Sequence, residues 1–183
     1  MEVSQANKEI DESLFDKIAQ GDDEAFTELY YATYKKIYGF LLSLTKNKED
    51  AEDLLQNTYI KIRNGAHLYK KQGTPLTWMC TVAKNQFLDL ARKNSKTQTV
   101  DITEMQNYIS EGSGFSVSDK VETKMILSAA MKILNDIERS IFILHLGDGL
   151  KFREVAEVVG LPQNTVITKY NRCLKKMREY LER

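Results

Sequence analysis

The 183-residue chain is predicted to be all-α, with two small helical domains joined by a flexible linker, the C-terminal one a helix-turn-helix. Three observations predict this. Apolar residues recur at spacings of three and four rather than two, which gathers them on one face of a helix and not of a strand. Only two prolines and nine glycines interrupt the chain, so long helices can run unbroken. Residues 94–118 are dominated by Ser, Thr, Gln, Asn and Gly, include Ser110-Glu111-Gly112-Ser113-Gly114 and lack helical periodicity. That composition marks an interdomain linker, leaving domains at 12–93 and 119–183.

The elements follow in order. A short helix from Glu12 to Gln20 stops at Gly21, and Asp22-Asp23-Glu24 then complements the positive end of the next helix. That second helix, Asp23 to Thr45, buries Phe26, Leu29, Tyr30, Ile37, Tyr38, Leu41 and Leu44. Asn47 caps a third, whose stripe is Ala51, Leu54, Leu55, Thr58, Tyr59 and Ile62 and whose end lies at Asn64-Gly65. After a loop from His67 to Gly73, Thr74-Pro75 reads as cap and first helical residue of a helix reaching Lys93. Beyond the linker, Asp119 and Glu122 form a capping-box pattern that opens a helix to Leu134. Asn135-Asp136 caps another, with Ile137, Ile141, Phe142 and Leu144 apolar and Gly147-Asp148-Gly149 ending it. The last pair, Phe152 to Val159 and Gln163 to Leu181, is joined by Gly160-Leu161-Pro162.

Charge is balanced in total, 26 basic against 26 acidic side chains, but not along the chain. Residues 61–100 carry eight basic and one acidic side chain, and residues 151–183 carry eight and four. The N-terminal 30 residues carry two and nine. A polyanion therefore meets two basic blocks, one per domain, rather than a neutral surface. No apolar run approaches the roughly 20 residues of a membrane helix, so direct membrane insertion is not expected. The N-terminus lacks the basic and apolar regions of a secretory signal, which points to the cytoplasm. Cys80 and Cys173 lie far apart on apolar helical faces and read as buried thiols. His67 and His145 stand in different domains with no nucleophile, metal-ligand spacing or phosphate-binding glycine loop beside them. No enzyme activity, cofactor, metal or small-molecule substrate is expected.

Three segments carry chemistry. Between Leu150 and Met177, Phe152, Val155, Ala156 and Val159 line one helix, Gly160 permits a left-handed turn, Leu161 plugs the gap, and Val166, Tyr170 and Leu174 face back. This is helix-turn-helix patterning, and the second helix would present Gln163, Asn164, Thr165, Ile167, Thr168, Lys169, Asn171 and Arg172 to a major groove, with Lys175, Lys176 and Arg178 suited to phosphates. In the first domain, Tyr69 beside Lys70 and Lys71, with Lys84, Asn85, Arg92 and Lys93, suits melted or single-stranded nucleic acid, where cations follow the backbone and aromatics stack on bases. Tyr69 is the candidate for exposure, and Trp78 reads as core. The third segment, Glu49-Asp50-Ala51-Glu52-Asp53-Leu54-Leu55-Gln56-Asn57, is on composition alone a solvated acidic face.

Taken together, four stretches resemble the bacterial RNA polymerase sigma factors of the small extracytoplasmic-function group. Asp23 to Tyr30 is similar to the start of the family's promoter-melting domain, and Glu49 to Gln56 to its polymerase-binding helix. Thr77-Trp78-Met79 through Asn85 resembles its minus-ten recognition helix, and Gly149 through Val166 its minus-thirty-five helix-turn-helix. The resemblance implies that Asp50, Asp53, Leu54 and Gln56 contact core RNA polymerase. It implies that Tyr69, Lys70, Lys71, Lys84, Asn85 and Arg92 serve the minus-ten element, and that Gln163, Asn164, Thr165, Thr168, Lys169 and Arg172 serve the minus-thirty-five element. The chain departs from the family at Asn57, at Cys80-Thr81 and at Ile167. Promoter DNA, core polymerase and an anti-sigma factor are the implied partners, with linker residues Asp101, Glu104 and Glu111 directed toward the polymerase. A second reading from the residues alone is a free-standing helix-turn-helix regulator that binds duplex operators as a dimer.

Overall fold

The computed structural model describes residues 10–71, 74–93 and 132–182. Seven α-helices occur among the described residues: α1 (Ser13–Ala19), α2 (Asp23–Thr45), α3 (Lys48–Gly65), α4 (Pro75–Lys93), α5 (Asp136–Phe142), α6 (Phe152–Val159) and α7 (Gln163–Leu181). A 3-10 turn, Ala66–Leu68, follows α3, and a π turn, Ile143–Gly147, follows α5. The expected linker and nearly all of the expected helix from Asp119 to Leu134 lie outside the described residues.

The starts and stops have local causes. The Asp22 carboxylate accepts from the amides of Glu24 and Ala25 at 3.0 and 2.9 Å, filling two of the open donors at the start of α2. Asn47 does the same for α3 through the Asp50 amide at 3.0 Å. Pro75 sits at the first position of α4, where its missing N–H is no loss, and the Thr74 carbonyl accepts from Thr77 at 3.0 Å. At α5 the full capping box forms, with Asn135 accepting from the Glu138 amide at 2.9 Å and Glu138 accepting from the Asn135 amide at 3.1 Å. Helix α2 stops on Lys46, whose φ of 57° is left-handed, a conformation that normally falls to glycine.

In the N-terminal domain α2, α3 and α4 pack on one another, with α1 laid across α2. Leu29, Ile37, Leu41, Ala51, Ile62, Met79, Cys80 and Ala83 are fully enclosed between them. Phe15 of α1 closes this core through rings, stacking on Tyr69 at 4.2 Å and meeting the edge of Trp78 at 5.5 Å. In the C-terminal domain α5, α6 and α7 enclose Ile141, Phe142, Val155, Val158, Val166, Cys173 and Met177.

Two expected core positions are corrected. Ile137 is 45% exposed, because the capping box turns Glu138 inward in its place. Leu174 is 39% exposed, since the inner stripe of α7 runs Val166, Tyr170, Cys173 and Met177, and position 174 falls beside it.

The two domains also touch. Helix α4 packs against α6, and α2 packs against α5 and the π turn. Lys46 Nζ reaches the Asp136 carboxylate at 2.6 Å, and Lys36 Nζ donates to the Asp148 carbonyl at 3.5 Å. No described helix is long and apolar enough to cross a membrane.

Candidate nucleic-acid interface

The C-terminal face is built from a short helix, a tight turn and a long helix. Glu154 accepts from the Lys151 amide at 2.7 Å and fixes the start of α6. Gly160 then adopts a φ of 74°, and the amides of Gly160 and Leu161 both donate to the Ala156 carbonyl, at 2.9 and 3.1 Å. This left-handed stop redirects the chain so that α7 crosses α6 with Val166 fully enclosed. Gln163, Asn164, Thr168 and Arg172 are exposed on the outer side of α7, while Thr165 and Lys169 are half-buried beside them. Thr168 donates its hydroxyl back to the Asn164 carbonyl at 2.8 Å.

Of the basic residues expected to meet phosphate, Lys176 has another partner. Its ammonium lies 2.7 and 2.8 Å from the two oxygens of Glu138. Burial alone would raise the Glu138 carboxyl, but the hydrogen bonds from Lys176 and the Asn135 amide outweigh it and hold the group below its usual range. Lys176 therefore ties α7 to α5, and the open cationic edge of α7 is formed by Arg172, Lys175 and Arg178.

His145 lies within an aromatic group rather than on the open surface. Its ring stacks on Phe152 at 3.9 Å, meets Tyr170 edge-on at 4.8 Å, and through Nδ1 bonds the Leu150 carbonyl at 2.8 Å.

The N-terminal face centres on α4 and the segment before it. Lys70 and Asn85 are exposed. Lys71 pairs with Asp16 at 2.8 Å, and that hydrogen bond raises its pKa. Arg92 pairs with Asp89 at 3.0 Å, both side chains remaining largely in solvent. Surface pairs of this kind contribute little and yield readily to a phosphate. Lys84 is half-buried, and burial lowers its pKa.

Tyr69 departs from expectation. It is packed between Phe15 and Trp78, and burial, with Glu12 beside it, pushes its phenol up to about 12. Tyr69 is thus a wall of the ring cluster rather than an open stacking platform. The anchoring partner, Phe15, was missed because nothing in the spacing of α1 ties it to a residue more than fifty positions away. Trp78 joins the same cluster, in line with its reading as core.

A third face belongs to α3. Asp53, Gln56 and Asn57 are exposed along one side, with Asp50 half-buried at the helix start. Ile60 continues this line at 58% exposure, an apolar residue in water that the sequence reading did not single out. Leu54 is corrected. It is 4% exposed and faces the core, supporting the helix from beneath. Among the described residues no group of His, Cys, Asp and Glu could hold a metal ion.

The chain matches the family model described as Sigma-70 region 2 over residues 29–97 and that described as Sigma-70, region 4 over residues 124–177. It is a sigma-70 family sigma factor of the extracytoplasmic-function type. Similar proteins include the sigma factor SigM of Bacillus subtilis (strain 168), 30% identical over 136 residues that cover 74% of this chain and 82% of SigM. SigX of the same organism is 26% identical over 170 residues, covering 87% of this chain and 85% of SigX. Among solved structures, the sigma factor RpoE of Bartonella quintana, in complex with the anti-sigma factor NepR, has the same fold, with a TM-score of 0.67, 17% identity, and coverage of 87% of this chain and 98% of that one. As a sigma factor the chain binds core RNA polymerase and directs promoter-specific initiation of transcription, and the matches support this over the free-standing regulator.

Proposed function

We propose a division of this sigma factor's work among three faces. The exposed side of α3, with Asp53 and Gln56 central, Asp50 in support and Ile60 as its apolar end, docks on core RNA polymerase. Residues 12–93 form the unit that recognises and melts the minus-ten element, through Lys70, Lys71, Lys84, Asn85 and Arg92. Residues 119–183 form the unit that reads the minus-thirty-five element through Gln163, Asn164, Thr165, Thr168, Lys169 and Arg172, joined by the linker 94–118.

The observation that carries this reading is chemical segregation. The exposed side of α3 from Glu49 to Asn57 is acidic and amide-bearing, with its cations Lys48, Lys61 and Arg63 kept to the two ends, whereas α7 exposes amides and the cations Arg172, Lys175 and Arg178 against one acid, Glu179, and α4 exposes Asn85 and Arg92 beside Asp89. A polyanion is repelled from the first and attracted to the other two. The protein works in the cytoplasm, where polymerase and promoter DNA meet. An anti-sigma factor is its expected regulator, as in the RpoE–NepR complex whose sigma factor shares this fold.

Transcription with purified core enzyme tests the assignment. Asp53→Lys should abolish association with core polymerase, since it places a cation at the centre of the acidic face. Lys169→Ala should leave that association intact while weakening initiation at promoters with a minus-thirty-five element roughly tenfold, as expected for one lost contact of about 1–3 kcal/mol. The opposite pattern would refute the division of labour between the two domains.

A further inference from the structure

Helix α1 has seven residues, and an isolated helix shorter than about 12–15 residues is marginal in water. It persists by packing, and its contacts divide between two faces. Leu14 and Ile18, four apart, are buried in the core of the domain. Glu12, Phe15 and Asp16 fall three and four apart on a second face, and all three reach the segment that leads into α4.

The Phe15 ring stacks on Tyr69 at 4.2 Å and meets the edge of Trp78 at 5.5 Å, so one side chain joins the segment to the first turn of α4. The Tyr69 phenol donates a hydrogen bond to the Glu12 carboxylate. Two residues on, Lys71 Nζ donates to the Asp16 carboxylate at 2.8 Å. Lys70 stands between these two anchors and is exposed. Tyr69 has an extended backbone, with φ of −65° and ψ of 122°. Successive side chains of an extended chain point to opposite sides, so anchoring residues 69 and 71 to α1 directs residue 70 away from it.

This arrangement bears on how tightly the segment can hold DNA. The 3-10 turn ends where the Tyr69 amide donates to the Ala66 carbonyl at 3.1 Å, and beyond it the side chains of α1 supply the hold. A cation on a loose segment must be ordered at the moment of binding, at a cost in entropy. On a braced segment that ordering is complete once the domain has folded. The face of α1 that does the bracing carries Glu12 and Asp16, with Asp11 close enough to act on Lys71. Such a face repels phosphate, so α1 contributes by holding the residues that meet DNA and not by meeting it.

We propose that α1 is a brace for minus-ten recognition, in which Glu12 and Phe15 are positioning residues that act through Tyr69 to present Lys70 and the start of α4 to the promoter. The inference rests on the assignment of Lys70 and α4 to the minus-ten element. It gives Tyr69 a part in recognition without exposure, as the link between the brace and the cation beside it.

Transcription by the full chain with purified core enzyme tests the brace, on a promoter the holoenzyme uses and on single-base changes in each of its two elements. The readout is preference, the ratio of initiation at the native sequence to that at the altered one. Phe15→Leu keeps apolar bulk and loses the stacked ring, and Glu12→Ala removes the acceptor of the Tyr69 phenol. Each should lower the minus-ten preference by about three- to tenfold, the range for one hydrogen bond of ordinary strength. The minus-thirty-five preference and association with core polymerase should stay at wild-type values. Glu12→Gln still offers the phenol an acceptor and should restore the preference, while adding Tyr69→Phe to Glu12→Ala should cause no further loss. A wild-type minus-ten preference in both Phe15→Leu and Glu12→Ala overturns the inference. Equal losses at the two elements also overturn it, because they mark a general weakening of the fold. If Phe15→Leu does not fold, Glu12→Ala and its rescue by Glu12→Gln decide. Lys70→Ala separates the two levels of the argument. If it leaves the minus-ten preference unchanged, the minus-ten assignment falls and the brace with it; if it lowers the preference while the α1 variants do not, the brace alone falls.

Discussion

Glu138 serves two structures with one carboxylate, capping α5 through the Asn135 amide and holding Lys176 of α7. Replacing it with Gln keeps the shape and removes the charge. Glu138→Gln should destabilise the protein by about 1.5–3 kcal/mol at neutral pH, the range for a hydrogen bond to a charged group, as read from urea unfolding. Because the carboxyl is held below its usual value, its contribution is complete above the unfolded-state value of about 4.3 and disappears as pH falls through the lower, folded-state value. The variant should lack that component of acid sensitivity. Leu54 and Tyr69 show at the same scale why residue roles were harder to read than helices. Each has the right chemistry for contact, an apolar anchor or an aromatic ring. Each is claimed by the interior, Leu54 by the α2–α3–α4 core and Tyr69 by Phe15. Side-chain type alone does not distinguish the two fates.

At the scale of elements the sequence was highly informative, because starts and stops are local chemistry. The bounds of α2, α6 and α7 coincide with those read from apolar spacing and capping residues, and α4 begins on the expected proline. What spacing could not anticipate was the π turn after α5, where one extra residue per turn brings Asp148 inward, its amide bonding the Ile143 carbonyl at 2.9 Å. The turn between α6 and α7 gives the sharper prediction. Gly160 holds a φ of 74° with ordinary space around it, since Lys84 Nζ is the nearest atom to an added Cβ. Gly160→Ala should therefore destabilise the protein by about 1–2 kcal/mol through backbone strain and not through a clash. Gly160→Asn should recover part of that loss, because asparagine tolerates the left-handed region. Equal losses in the two variants, measured by denaturant unfolding, would point to steric conflict instead.

Across the whole molecule, composition showed two basic blocks and a polar tether but not that the domains meet. Contacts between chain segments a hundred residues apart leave no period in the sequence. The groups that make them, Lys36, Lys46, Asp136 and Asp148, read singly as ordinary surface charges. Lys46 carries a consequence of its own. A glycine there would relax the left-handed backbone at the end of α2, yet it would also delete the ammonium that reaches Asp136. Lys46→Gly should thus have two opposed effects, stabilising the N-terminal domain by up to about 1 kcal/mol while removing the ion pair between α2 and the start of α5, as read from denaturant unfolding. Asp136→Asn should remove the same ion pair without that gain. The lysine at this position holds one helix end in a left-handed turn and at the same time bonds the other domain, so the most comfortable local sequence and the one that ties the domains together are not the same sequence.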